Sequence, residues 1–272
     1  MLCYFQGYHD ITQVLLLVLG KEQATQAVAH VSLFRIRDYM LPSLSPALKH
    51  LALIPAIIQS SDPELARHLA GIRPFFALSS TLTLYAHDIE EYSDIARLFD
   101  FLLAYEPVVS IYLFSAIIIS RRKVLLEIPA DEQDMIHFTL SKLPRPLDIE
   151  DLLSRSLKLF RDHPPESLPG SAWNRISSCS VLKTSRDPFE VHPAEEAVRL
   201  FEKQTRQLQR EQLREKGLKF VWMHRRTIGS VGLAILVAAA SFWVRKKGFD
   251  TPFWPYLHRW KSVILGLSRF GE

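Results

Sequence analysis

The chain has 272 residues, 48% of them hydrophobic and 23% charged, with a formal net charge of +4. That length holds one sizeable domain plus appendages, and the small basic excess sits beside a C-terminal apolar run, which marks membrane flanks rather than a nucleic-acid surface. Two widely separated cysteines, Cys3 and Cys179, with no CxxC pair and no metal-ligand spacing, argue against a disulfide framework or a metal centre.

Ten glycines among many Leu, Ala and Ile favour helix over β-sandwich, so the fold class predicted is all-α. The run Tyr4-Phe5-Gln6-Gly7-Tyr8-His9-Asp10-Ile11 opens directly into the apolar stretch Val14 to Leu19. It puts a glutamine amide on a glycine-turned loop at the mouth of a helix. Successive helices with short breaks follow to about Phe160. Asp62-Pro63-Glu64-Leu65 predicts a start, with Asp as N-cap, Pro at N1 and an acid in the first turn. Asp131, and Asp148 with Asp151, predict two more. Ile95, Leu98, Phe99, Leu102 and Leu103 recur at helical spacing until Pro107 ends that helix and starts another. The second, Val108 to Ser120, is apolar almost all round yet short for a bilayer, which predicts a buried core helix.

Residues 163–193 carry Pro164, Pro165, Pro169, Pro188 and Pro193 in a serine-rich stretch with little periodicity, which reads as a linker. Residues 194–224 are charge-dense and predict a mostly solvated helical spacer. Thr227 to Val244 is 18 residues without a charge between Arg225-Arg226 and Arg245-Lys246-Lys247, with Trp222 and Trp243 near its ends. At about 1.5 Å per residue it just crosses a hydrocarbon core of roughly 30 Å, so 225–247 is predicted to span a membrane. The tail, 248–272, places Leu257, Trp260, Ile264 and Leu267 on one face, the pattern of an interfacial amphipathic helix.

The Tyr4-Phe5-Gln6-Gly7 run resembles the Tyr-x-Gln-Gly motif of TBC domains, the GTPase-activating domains for Rab proteins. The Tyr8-His9-Asp10-Ile11 extension is similar to the membrane-anchored branch of the endoplasmic reticulum. Arg37-Asp38-Tyr39-Met40, Pro74-Phe75-Phe76-Ala77-Leu78-Ser79, Ala86-His87-Asp88, Arg97-Leu98-Phe99-Asp100-Phe101 and Ile111-Tyr112 fit the same branch in order. Ser80 and Leu84 stand where that branch leads one to expect tryptophans. The resemblance covers about Tyr4 to Phe160 and implies that 1–162 is the C-terminal portion of a TBC domain. Only three residues precede the motif, so an upstream portion carrying an Ile-x-x-Asp-x-x-Arg arginine is expected to be missing. Ile128-Pro129-Ala130-Asp131 starts that pattern correctly, but Asp134 occupies the arginine position.

The resemblance implies a regulator rather than an enzyme in its own right. It would be a GTPase activator that binds a GTP-loaded Rab-type small GTPase through Tyr4, Gly7, Tyr8 and Asp10. Gln6 would then orient the hydrolytic water in trans, since its amide can accept from the water and donate to a phosphate oxygen together. Gly7 would let the backbone approach the partner closely. No cofactor is expected in this chain, because the Mg²⁺ and GTP would belong to the Rab. The implied location is the endoplasmic reticulum membrane, with the bulk of the chain facing the cytosol. Lacking the arginine, the chain is expected to accelerate hydrolysis weakly or not at all. The alternatives are a non-catalytic Rab-binding scaffold at the bilayer, or an incomplete gene product. His9-Asp10 and His87-Asp88 read as structural, because neighbouring side chains on a helix diverge. Arg97 with Asp100 reads as an i,i+3 ion pair, and Arg121-Arg122-Lys123 as a cap on the Val108 helix. No P-loop or nucleophile elbow is present.

Overall fold

Every regular element among the described residues is helical, as the glycine-poor composition predicts. The computed structural model describes residues 2–187, Glu190 and 193–246, with side chains for all of these except Phe220, Val221, 226–234, Val244 and Arg245. The predicted amphipathic tail, 248–272, lies outside the described residues. Two compact units divide the chain, residues 1–210 and 211–272.

In the first unit, α1 (Tyr8–Phe34) is formally one helix of 27 residues, with Gly20 non-helical at φ 72° and ψ 171°. A straight helix would hold Tyr8 and Ser32 about 36 Å apart at 1.5 Å per residue. Their hydroxyl oxygens are 2.8 Å apart instead. The element is therefore a hairpin of two antiparallel helices reversed at Gly20, a left-handed position that glycine adopts without steric cost. Val14 and Leu15 are buried, whereas Leu16, Leu17, Val18 and Leu19 crowd the exposed tip.

The helices α2 (Ser45–Leu51), α3 (Leu53–Ser61), α4 (Pro63–His68), α5 (Leu78–Leu82) and α6 (Tyr92–Ala104) lead to α7 (Val109–Ser120). As predicted, α7 is a core helix. It is buried continuously from Val109 to Ile118 and packs on α3, α5 and α10 (Ile149–Asp162). Each fully buried Leu, Ile or Phe stabilises by roughly 1.5–3 kcal/mol, so Ile111, Leu113, Phe114, Ile117 and Ile118 outweigh the two serines buried with them. Those serines are satisfied locally: Ser110 donates to the Pro107 carbonyl and Ser115 to that of Ile111, both at 3.0 Å. Asp62 and Asp148 cap α4 and α10 as predicted, accepting from the amides of Leu65 and Asp151.

Several local readings are corrected. After α8 (Arg122–Glu127), α9 (Gln133–Leu140) begins past Glu132 with no side-chain cap, so Asp131 does not start it. Arg121 donates to the carbonyls of Thr139 (2.7 Å) and Lys142 (2.8 Å), capping α9 rather than α7. Arg122 pairs with Asp62 and Glu64, and Arg97 with Glu150 rather than Asp100. In each case the guanidinium reaches a partner remote in sequence, which helical spacing cannot reveal.

The larger correction concerns residues 163–193. Instead of a linker, the described part of this stretch packs on the core. Leu168, Trp173, Ile176, Cys179, Val181 and Leu182 are buried, and α11 (Val181–Thr184) forms there. The residues read as a solvated spacer form α12 (Ala194–Met223), whose first half buries Ala197, Phe201, Gln204 and Leu208. Asp38 gathers these pieces. Its carboxylate accepts from His50 Nε2 (2.9 Å), the Val181 amide (3.3 Å) and Gln204 Nε2 (3.0 Å). Neighbouring Arg37 donates to the carbonyls of Leu33 and Cys179, both at 2.7 Å. Burial alone would push the Asp38 pKa up, but the hydrogen bond and charge of His50, with Ser180 and Arg37, hold it below the usual carboxylate value.

The second unit holds the remainder of α12 and α13 (Arg225–Lys246), which covers the predicted apolar span. Ile235, Leu236, Val237, Phe242 and Trp243 are exposed on it. Among the described residues no helix is long and apolar enough to cross a membrane. Within the predicted span, the side chains of 226–234, Val244 and Arg245 lie outside the description.

A buried donor left without its acceptor costs about 1–3 kcal/mol, and Asn keeps one acceptor oxygen where Asp38 uses two, so Asp38→Asn is expected to lower unfolding free energy by about that much in urea titrations at pH 7. A carboxyl whose native pKa is depressed stabilises above its unfolded pKa and loses that contribution as pH falls through the native one. The gap between wild type and Asp38→Asn is therefore expected to narrow below about pH 4.

Candidate functional site

Phe5, Gln6 and Gly7 alternate in burial: the outer two are buried and Gln6 between them is exposed. The segment ahead of α1 is pinned where the Cys3 amide donates to the Met40 carbonyl at 2.8 Å. Phe5 sits in the core, edge-on to Tyr8 and Tyr39 at ring separations of 5.7 and 6.4 Å. Gly7 follows at φ 98° and forms the N-cap of α1, its carbonyl accepting from the Asp10 amide at 3.0 Å. With Phe5 anchored and the backbone reversed at Gly7, the Gln6 amide projects outward from a fixed loop. The resemblance suggests that Gly7 admits a partner's backbone, but the close approach in the structure is internal. A Cβ at Gly7 would lie 2.6 Å from Thr83 Cγ2.

The other predicted partner-binding residues surround this loop. Tyr4 is exposed, and its hydroxyl lies 3.3 Å from His9 Nδ1. Tyr8 is half-buried. Ser32 donates its proton to the Val28 carbonyl at 2.6 Å, so the Tyr8 hydroxyl is the donor to Ser32. Tyr8 thus clamps the α1 hairpin and presents only part of its ring outward. Asp10 is no side-chain cap. Its two oxygens take His9 Nε2 and His87 Nδ1, each at 3.1 Å. The expectation that His9 and Asp10 diverge is therefore corrected: both lie in the first turn, where the His9 ring can curl back, and Asp10 also meets a histidine 77 residues away.

His87, which reads as structural from sequence, comes from the turn after α5. That turn is strained: Leu84 and Tyr85 are successive non-glycine residues at positive φ, 50° and 68°. The Tyr85 amide donates back to the Ser80 carbonyl at 2.7 Å, the six-to-one bond of a Schellman helix end. Leu84 stands where glycine is usual, at a cost of about 1–2 kcal/mol. Burial of both side chains and the Tyr85 hydroxyl bond to the Ser110 carbonyl, 2.7 Å, hold it. Among the described residues no group of three or more His, Cys, Asp or Glu could hold a metal ion.

The fold and site define a helical domain that offers an exposed amide from a loop held on both sides, at Phe5 and at Gly7. Residues 1–126 match the family model of the Rab-GTPase-TBC domain, and that match includes the whole Gln6 loop. The GTPase-activating protein gyp10 of Schizosaccharomyces pombe is 36% identical over 214 residues, 77% of this chain and 57% of that protein. TBC1 domain family member 20 of Bos taurus is 33% identical over 195 residues, 71% of this chain and 48% of the relative. The human protein of that name is 32% identical over 195 residues. The chain spans about half the length of the curated relatives it matches. Together these similarities support the Rab-GAP TBC family for the helical unit that carries Gln6.

Gly7→Ala is expected to destabilise the domain by about 2 kcal/mol or more, combining left-handed strain with the overlap at Thr83. Thr83 cannot rotate away cheaply, because it is buried and its hydroxyl donates to the Ser79 carbonyl at 3.0 Å. Adding Thr83→Ser removes the methyl and should recover the overlap part but not the strain, as urea titration of both variants would register.

Proposed function

We propose that this chain is the GTPase-contacting part of a membrane-anchored Rab GTPase-activating protein of the early secretory pathway. Gln6 enters the nucleotide site of a GTP-loaded Rab and orients the attacking water. The observation that carries this reading is the burial pattern of the loop: Phe5 and Gly7 are fixed inward, and the amide between them faces solvent. An amide held this way meets the geometric demand of phosphoryl transfer, where catalysis is positioning plus electrostatics. The segment that does so is the one matching the Rab-GTPase-TBC domain. Tyr4 and the outer edges of Tyr8 and Asp10 border the contact. Mg²⁺ and GTP come with the Rab.

The anchor is α13, supported by the charge-free run 227–244 between basic clusters and by the exposed apolar side chains along it. The endoplasmic reticulum membrane, with the first unit on the cytosolic side, is the location that fits the resemblance. A second reading is a Rab-binding protein that does not accelerate hydrolysis.

Single-turnover hydrolysis across a panel of GTP-loaded Rabs tests the choice. Acceleration of at least one, returned to the intrinsic rate by Gln6→Ala, is the expected result. Nucleotide-dependent binding without acceleration would leave the second reading, and neither would remove both. Resistance of the full chain to alkaline extraction from membranes, lost when 227–244 is deleted, is expected of the anchor.

A further inference from the structure

We propose that His87 is a positioning residue for Gln6, acting through Asp10 from the strained turn after α5. The inference rests on the reading of Gln6 just given and adds a second element to its site. Two contacts join the turn to the glutamine loop, and a third within the turn ties them together. His87 Nδ1 donates to Asp10 Oδ2 at 3.1 Å, one turn into α1. Thr83 Cγ2 packs where Gly7 lacks a Cβ. The His87 amide donates to Thr83 Oγ1 at 3.4 Å, tying these two contacts into one unit.

On its other oxygen Asp10 accepts from His9 Nε2, which leaves His9 Nδ1 to accept from the Tyr4 hydroxyl. A continuous chain therefore runs Tyr4, His9, Asp10, His87. It spans both sides of Gln6 in sequence and ends in the turn that carries the positive-φ pair Leu84 and Tyr85. Strained, over-determined backbone of this kind concentrates at sites whose geometry must be held. Here Leu84 and Tyr85 supply it, locked by burial and by the bond to α7.

Global stability does not explain the arrangement. The side chains of His9 and His87 are 63% and 62% exposed, and pairs so solvated contribute about 0–1 kcal/mol. What such a pair can fix is direction: the angle at which α1 leaves Gly7, and with it the aim of the preceding side chain.

His87→Ala and His87→Asn in the full chain separate positioning from packing. Asn keeps an N–H donor near the place of Nδ1, whereas Ala keeps none. In His87→Ala the Tyr8 and Asp10 amides, which donate to Phe5 and Gly7, are expected to exchange with solvent at least about fivefold faster. His87→Asn should exchange like wild type, and the thermal midpoint should hold in both. At saturating chain, GTP hydrolysis by a responsive Rab should fall about tenfold in His87→Ala with Rab affinity unchanged, and recover in His87→Asn. Unaltered exchange at both amides overturns the proposal. So does a loss of Rab affinity with the saturated rate intact, which would make His87 a contact instead. If Gln6→Ala alone changes no rate, the GTPase reading fails, and the exchange measurement still decides whether His87 holds the loop.

Discussion

A carboxylate cut off from water has to find its stabilisation inside the protein, and Asp38 finds it by drawing four parts of the chain together. His50 comes from α2, the Val181 amide from the start of α11 and Gln204 from α12. Beside it Arg37 reaches the carbonyl of Cys179. Apolar burial would tolerate several registers for residues 163–208, but a charge needing specific donors tolerates few. The cluster is not fully satisfied. Among the described residues His50 Nδ1, Arg37 Nε and Gln204 Oε1 are buried without partners, at about 1–3 kcal/mol each. It therefore stabilises less than its number of bonds suggests, and its chief effect is to specify which segments meet. The matched region ends at residue 126, yet the physical unit continues through the Arg37–Asp38 cluster into the first half of α12.

The same logic, with packing in place of charge, governs the Gln6 loop. A side chain offered to another protein is useful only if its own backbone does not drift, and here both neighbours are tied down. Phe5 is held among aromatic rings. Gly7 is held by lacking a side chain where Thr83 stands. The motif glycine thus serves an intramolecular contact, whatever approaches from outside.

What could be read from sequence was what depends on near neighbours. The caps at Asp62 and Asp148 act on amides three residues on, and the all-round apolarity of Val109 to Ile118 has one stable solution, burial. The exposed glutamine was legible through a short motif. Contacts between remote segments were not. Prolines and serines between 163 and 187 carry no periodicity, yet Trp173, Ile176 and Leu182 supply enough apolar surface to dock the stretch without long regular helices. The described part is built from 3-10 turns and the four-residue α11. His87 looked ordinary beside Asp88, because its partner is at position 10. The reversal at Gly20 was hidden since helical pattern continues on both sides, and the non-helical Gly20 backbone together with the Tyr8–Ser32 bond discloses it.

That reversal divides one hydrophobic run into two classes with different evolutionary freedom. Val14 and Leu15 sit below 7% exposure, while Leu16, Leu17, Val18 and Leu19 range from 36% to 62%. Selection for foldability reaches the first pair directly and hardly touches the other four. A polar side chain at any of these four would stay hydrated, whereas at positions 14 and 15 it would be shut away from water, and a side chain at position 20 would strain the positive-φ backbone.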